Sequence, residues 1–304
     1  WLYYVAGTAV VTITQDTNVP NGNFKNSCKV DVTTADASVA AGDMSMLLTK
    51  IEGLNMSGLG WGTAQAKNIT LSFWVKSPKT GTHSISLQNS AQNRTYAAAY
   101  TIDSADTWEH QSITVAGDTT GTWLTTNGVG MSIGIPLMLG TDWTKTPGSW
   151  GTANDWGATG QVNCVDNAAN NFYITGVQFE AGDSDTPFEH EIYSETLQKC
   201  MRYYQLPHNW QAHSDGSTAT AFKIMHSFPV PMRASPTIGT TGTPTVVKMN
   251  ANAAGPTTIS VVPTANANGF NGNSFTTMAT GAGSAAATNT PYAGISGFTA
   301  SAEL

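Results

Sequence analysis

From Ile69 to Lys76 apolar and polar residues alternate: Ile69, Leu71, Phe73 and Val75 fall on one face and Trp74 on the other. A period of two marks a strand with one buried face, and Trp74 on the other face reads as an aromatic sealing one side of a sandwich in preference to a sugar platform. Weaker versions of the pattern predict strands over Leu2 to Val5, Val10 to Thr14, Cys28 to Thr33, His83 to Gln88, Thr95 to Ile102 and His110 to Val115. Met44 to Ile51 is apolar enough for a strand or a helical turn, and its context favours a strand. Gly, Asn and Asp bound these segments, and the Asn21-Gly22 pair favours a tight turn. Short strands at near-regular spacing, with almost no helical periodicity, point to a sandwich or jelly roll.

The period changes once. Ile174, Val177 and Phe179 alternate as a last strand that stops at the Gly182 loop; then Leu197, Cys200, Met201 and Tyr204 take the i, i+3, i+4, i+7 spacing of one helical face. Ser194 is placed to cap this helix, and Glu195 puts negative charge in its first turn. Beyond Tyr204 the chain turns to Thr, Gly, Ala and Asn, which sets a boundary near Gln205 between a domain of residues 1–204 and one of residues 205–304. In the second domain Thr220 to Val230 reads as a strand that Pro229, Pro231 and Pro236 end or hold at an edge. Short strands and hairpins are expected at Thr245 to Met249, Thr257 to Val262, Ser274 to Thr277 and Gly297 to Ala300, intertwined with copies of the chain. Low complexity is the rival reading, and alternating Thr, Val, Ile and Phe positions favour ordered β structure over it. The expected fold is all-β: a jelly-roll β-sandwich, one short helix and a smaller C-terminal β domain.

Several segments carry a resemblance. Ser27 to Thr34 (SCKVDVTT), Gly60 to Thr63 (GWGT), Thr70 to Ser77 (TLSFWVKS), Thr107-Trp108, Gly117 to Trp123 (GDTTGTW), Gly176 to Glu180 (GVQFE), Thr186 to His190 (TPFEH) and Leu197 to Tyr204 (LQKCMRYY) occur in that order. Together they resemble a domain found repeatedly in bacteriophage tail-fibre and other virion surface proteins. The resemblance spans most of residues 1–204 and implies a jelly-roll sandwich shaped like a carbohydrate-binding module, in a virion protein. It does not imply a ligand.

Composition narrows the partners. Charged residues are 11 % of the 304, against about 25 % in an average soluble protein. Burial of neutral surface against other subunits accounts for that shortage better than disorder does, because interface cores are depleted in charge. The net charge of −7 and the scatter of the 13 basic residues argue against nucleic acid. No apolar run approaches the roughly 20 residues of a membrane helix, and the start, WLYYVAGTAVVTITQ, lacks the charged region of a signal peptide. It reads as a strand entered part-way, with residues expected before Trp1. Cys28, Cys164 and Cys200 have no metal-like spacing and cannot all pair, so free, buried thiols and synthesis in a reducing host cytoplasm are expected.

The one unusual loop is Gly140 to Gly160, where Trp143, Trp150 and Trp156 lie among Gly and Pro. A loop tryptophan either folds back as a plug or subunit contact, which is the favoured reading, or offers its indole face to a sugar ring. Asn154 and Asp155 would supply the hydrogen bonds of a saccharide site, although both are ordinary loop residues. Trp143, Trp150, Asn154, Asp155 and Trp156 are therefore the candidate glycan-binding residues.

Glycoside cleavage usually needs two opposed carboxylates. The acidic cluster Asp183, Asp185, Glu189, Glu191 and Glu195 reads instead as a solvated connector, and no catalytic residue is expected. Asp183 and Asp185, with Glu180, could offer oxygens to calcium but lack a full binding-loop signature; an acidic turn is favoured and no metal is assigned. His208 and His213 have no adjacent acidic partner, and His190 between two glutamates has no assigned work. There is no nucleophile elbow, phosphate loop or dinucleotide fingerprint, so no cofactor is expected. The triplets at Asn55, Asn68 and Asn93 match the N-glycosylation pattern and would go unused in a bacterial virus.

The expected function is a non-enzymatic structural component of a bacteriophage virion, a tail fibre or tail-associated protein on the particle surface that meets host-surface polysaccharide. Homotrimers and other virion proteins are its expected partners, without nucleic acid and without membrane insertion. A head decoration or capsid-fibre protein and a polysaccharide depolymerase are the alternatives.

Overall fold

The computed structural model describes residues 1–206, 211–214, 221–248, 258–263, 274–282 and 291–303. The chain forms two compact units, Trp1–Glu189 and His190–Leu304. Among the described residues no helix is long and apolar enough to cross a membrane.

The first unit runs β1 Leu2–Ala6, β2 Val10–Asp16, β3 Ser27–Thr34, β4 Met44–Glu52, a one-turn helix α1 Gly53–Met56, β5 Ile69–Lys76, β6 Gly81–Gln88, β7 Thr95–Ile102, β8 Glu109–Val115 and β9 Val129–Leu139. Three two-residue strands follow, β10 Thr144–Lys145, β11 Trp150–Gly151 and β12 Gly157–Ala158, and then β13 Asn171–Ala181. One sheet has the order β1-β4-β9-β6-β7-β11 and the other β2-β3-β13-β5-β8. Consecutive strands such as β1 and β2 belong to opposite sheets, which gives the jelly-roll sandwich.

β5 shows why the alternation was legible. It lies between β13 and β8, and Ile69, Leu71, Phe73 and Val75 face the core at no more than 1 % exposure. Across from them stand Leu47, Ile85, Leu87, Ile133, Ile135 and Leu137 of the other sheet, with Val30, Val32, Phe172 and Ile174 alongside β5. Burying each of these side chains contributes about 1.5–3 kcal/mol.

β9 follows no alternation, and the sequence reading placed no strand there. It pairs with β4 and β6 in the middle of its sheet, and Gly130 to Met138 are all buried, because the segment after it folds over the outer face. A strand covered on both faces reads as a continuous apolar run. Pro136 is opposite Met46, beside a register shift between Ser45 and Met46, so the bulge accommodates the missing amide donor.

The second unit begins with helix α2, Tyr193–Met201. Its strands are β14 Tyr204–Gln205, β15 Gln211–Ser214, β16 Ala221–Ser227, β17 Thr237–Lys248, β18 Thr258–Pro263, β19 Ser274–Ala282 and β20 Pro291–Ser301. Their order is β14-β20-β15-β16-β19-β18-β17, and β17 also pairs with β20. The antiparallel ring β20-β15-β16-β19-β18-β17 is thus completed within one chain. Instead of the short strands expected, β17 and β20 run to 12 and 11 residues. β16 ends ahead of Pro229, as its prolines require. Thr220, Met249 and Thr257, the outer ends of three expected strands, lie outside the described residues.

Two sequence expectations need correction here. Ser194 does not cap α2: the N-cap is Ile192, whose carbonyl accepts the Glu195 and Thr196 amides at 3.1 and 3.2 Å, and no side chain caps the helix. Glu195 does occupy the first turn, and Lys199 the last, both favourable to the helix dipole. The division of the chain falls ahead of the helix, not after Tyr204. Hydrogen bonds explain this: Gln205 Nε2 donates to Met201 O and Val230 O at 2.9 and 2.8 Å, and the Ala302 amide donates to Tyr203 O at 2.7 Å. These bonds tie the end of α2 to the strands that follow it.

Candidate functional site

Residues 140–161 lie across the outer face of the six-stranded sheet. Trp156 is 5 % exposed and packs on Met44, Met46 and Leu48 of β4, with Leu139 and Trp143 beside it. Gly134 of β9 gives it room: a Cβ there would stand 3.0 Å from the Trp156 ring and 2.5 Å from Ser86 Oγ. Half-buried Trp143 donates Nε1–H to Gly42 O at 2.9 Å. Trp150, also half-buried, donates to Ala116 O at 2.8 Å and meets Trp61, Trp123 and Tyr96 at centroid distances of 5.3, 5.4 and 5.3 Å. Such tilted and edge-to-face pairs add about 0.5–1.5 kcal/mol each beyond area burial.

The polar members of the segment are also engaged. Asn154 Oδ1 accepts from Gln88 Nε2 at 2.6 Å, and its Nδ2 donates to Gln92 Oε1 at 3.4 Å. Thr95 Oγ1 donates to Ala153 O, and Ser84 Oγ donates to Gln161 Oε1 while accepting the Ala158 amide. The loop thereby bonds the polar stripe of the sheet as a ligand would, although Ser86 Oγ and Gln88 Oε1 remain buried without a partner. Asp155 is half-buried near Lys145, whose ammonium is pushed down by burial and partly restored by the Asp155 charge. The sequence placed these five residues in one loop, and the fold keeps them together. It also removes Trp156 as a sugar platform, since its ring has no free face, and commits Trp150 to an aromatic cluster.

The motifs of the resemblance converge on a second node. Asp118 is 2 % exposed and receives Arg94 Nε and Nη2 at 2.6 and 2.7 Å, the Thr120 amide at 3.1 Å and Trp123 Nε1 at 3.2 Å. Its backbone carbonyl accepts the Gly62 amide at 2.8 Å. Burial pushes the Asp118 carboxyl up, but the Arg94 fork and the other donors outweigh it and hold the group below the usual carboxylate range. Gly121 sits at φ +79° against the Arg94 stem, where a Cβ would come within 2.5 Å of Arg94 Cγ. GWGT and GDTTGTW are thus two halves of one structural joint.

The acidic connector is more ordered than expected. Asp183 accepts from Asn68 Nδ2 at 2.6 Å, Asp185 from Ser112 Oγ at 2.7 Å, and Glu180 from the Thr186 amide at 3.1 Å. These carboxylates strap residues 182–186 over β5 and β8, where Thr70 Oγ1 also donates to Gly182 O at 3.0 Å. Among the described residues no group of three or more His, Cys, Asp and Glu could hold a metal. His208 lies outside the described residues, and His213 falls in β15.

One internal histidine escaped the sequence reading, and of the three thiols expected to be buried only Cys164 is, since Cys28 is half-buried and Cys200 exposed on α2. His83, 2 % exposed, hydrogen-bonds Lys79 O through Nε2 at 2.9 Å, turns Nδ1 to Cys164 Sγ at 3.7 Å and stacks on Tyr100. Burial lowers the His83 pKa and pushes the Cys164 thiol up to about 12. Neither is placed for chemistry.

A surface cleft also escaped it. The start of β1 approaches edge strand β2 and the first residues of β3 around a space of about 390 Å³, lined by Trp1, Ile13, Thr14, Gln15, Asn26 and their neighbours. Trp1 is 52 % exposed, the one tryptophan among the exposed large apolar residues of the described chain. No charged side chain lines the cleft. It joins three separate segments, so no local pattern could reveal it.

No family model matches the sequence, and no curated protein matches it. Among solved structures, the enzymatically active domain of bacteriophage CBA120 tailspike protein 4 is 16 % identical with a TM-score of 0.35, over 60 % of this chain and 19 % of that one. The chain thus spans about a fifth of the tailspike's length. The family 11 carbohydrate-binding module of Clostridium thermocellum, in complex with a β-1,3-1,4-mixed-linked tetrasaccharide, is 13 % identical with a TM-score of 0.32, over 61 % and 91 %. An α-L-arabinofuranosidase bound to arabinose is 11 % identical with a TM-score of 0.30, over 59 % and 23 %. At these scores none of the likenesses establishes a common function.

Proposed function

We propose that this chain is a non-enzymatic structural protein of a bacteriophage virion exterior, built in the manner of a tail fibre, that meets neutral host-surface glycan and works as an assembly of copies. The observation that carries the glycan reading is the cleft at Trp1. The Trp1 indole and Ile13 offer an apolar platform for a sugar ring, while the Gln15 and Asn26 amides and the Thr14 hydroxyl can donate to and accept from sugar hydroxyls. The uncharged lining side chains suit a neutral saccharide. Its size falls within the roughly 300–1,000 Å³ of ligand pockets. Copies on one particle raise the effective affinity by about 10²–10⁴.

The test is binding of the full chain to host polysaccharide fragments, read by calorimetry or a glycan array. Trp1→Ala should weaken binding at least about tenfold, the effect of losing about 1.4 kcal/mol of stacking and apolar contact. Trp143→Ala and Asn154→Ala should leave it within about twofold. Loss in those two with no change in Trp1→Ala would return the contact to the tryptophan loop. Reducing ends released from the polysaccharide would instead show a depolymerase.

A further inference from the structure

Helix α2 is nine residues long and buries none of them. Isolated helices shorter than about 12–15 residues are marginal in water, so a helix this short needs packing to persist. Its own chain holds it chiefly at the C-terminal end, through the bonds at Met201 and Tyr203, and through the ion pair between Lys199 and Glu191. Meanwhile Tyr193 is 79 % exposed, Leu197 43 % and Tyr204 42 %, and Cys200 is exposed as well.

The spacing of the three helical ones says what kind of surface would cover them. Tyr193, Leu197 and Cys200 are separated by four and three positions, the alternation of a helix seam that packs against another helix rather than the broader face of one lying on a sheet. The residues flanking the seam are Ser194, Thr196 and Met201, none of them charged, whereas Glu195 and Lys199 point elsewhere around the helix. In a chain of net charge −7, identical copies repel over most of their surface. At this seam they bring no like charges together. A charge-specified foreign helix would call for charged flanks, as pairing rules for such seams show.

We infer that α2 packs against α2 of other copies, side by side about a shared axis, and that this seam is a self-association surface. The inference rests on the proposed assembly of copies and names its contact. Cys200 lies on the seam, so thiols of neighbouring copies come within reach of a short bismaleimide, while Cys164 is buried and Cys28 half-buried.

The experiment uses the full chain carrying Cys28→Ser, with native mass by light scattering beside cross-linking. The expected result is a multiple of the single-chain mass, covalent dimers and higher species on a denaturing gel, and loss of those species in Cys200→Ser. Leu197→Glu should weaken association at least about thirtyfold, as removing a central anchor worth about 2 kcal/mol does. Leu197→Ser, a milder change on an exposed position, should weaken it in the same direction with an unchanged circular dichroism spectrum. An oligomer that neither cross-links at Cys200 nor responds to Leu197 would overturn the seam and leave the assembly standing. A single-chain mass at every concentration would overturn both.

Discussion

Single residues in the sandwich core set its response to acid. The folded-state pKa of His83 is lowered, chiefly by burial, with the Lys79 carbonyl opposing. Below about pH 6.5, the ordinary histidine value, the unfolded chain therefore takes a proton that the folded chain refuses. Stability falls as pH drops through that value toward the folded pKa, and levels below it. Asp118 has the opposite sense: its carboxyl is held low, so its contribution is intact above the ordinary carboxylate pKa and is lost as pH falls through the folded one. Urea unfolding followed against pH should show two declines, one starting near about pH 6.5 and one below about pH 4. His83→Gln should remove the first and leave the second; a first decline that survives the substitution would mean another group causes it. The period of two sets His83 on the face of Ile85 and Leu87, but only the fold decides that it meets Tyr100 and Cys164 there.

Elements tell a different story. Strands such as β5 and β7, with one face on the core, announce themselves by alternation, and the structure has β5 at Ile69–Lys76 and β7 at Thr95–Ile102, both as expected. β9 does not, because residues 140–161 cover its second face and remove the polar half of the pattern. Trp156 anchors that cover over Met44, Met46 and Leu48. Trp156→Ala should cost about 3–5 kcal/mol by leaving a large cavity, and it should let water reach Ser86 and Gln88. Calorimetric unfolding measures the loss directly. A cost below about 1 kcal/mol, the range of exposed substitutions, would mean that the loop is a loosely held arm. The helix was legible in Leu197, Cys200 and Met201 but not at its ends: Ile192 is the N-cap where Ser194 was expected, and Tyr204, expected on the helical face, lies in β14 opposite Ser301.

At the scale of the molecule, charge scarcity shapes how copies meet. An association driven by the uncharged α2 seam should hold, or strengthen slightly, between 0.1 and about 1 M NaCl, because screening acts on charges and weakens only the repulsion of copies at −7. Sedimentation across that range reads it, and dissociation by salt would point to an electrostatic contact elsewhere. The sequence alone determined the all-β class, the positions of most strands of the sandwich and the helical face, since each is written by near neighbours at a period of 2 or 3.6. Tertiary structure decided which tryptophans are plugs, that Trp1 borders a cleft, that two glycine motifs meet at one residue, Asp118, and that the helical face stays uncovered. Those outcomes depend on which distant segment crosses a residue, and no local period records that.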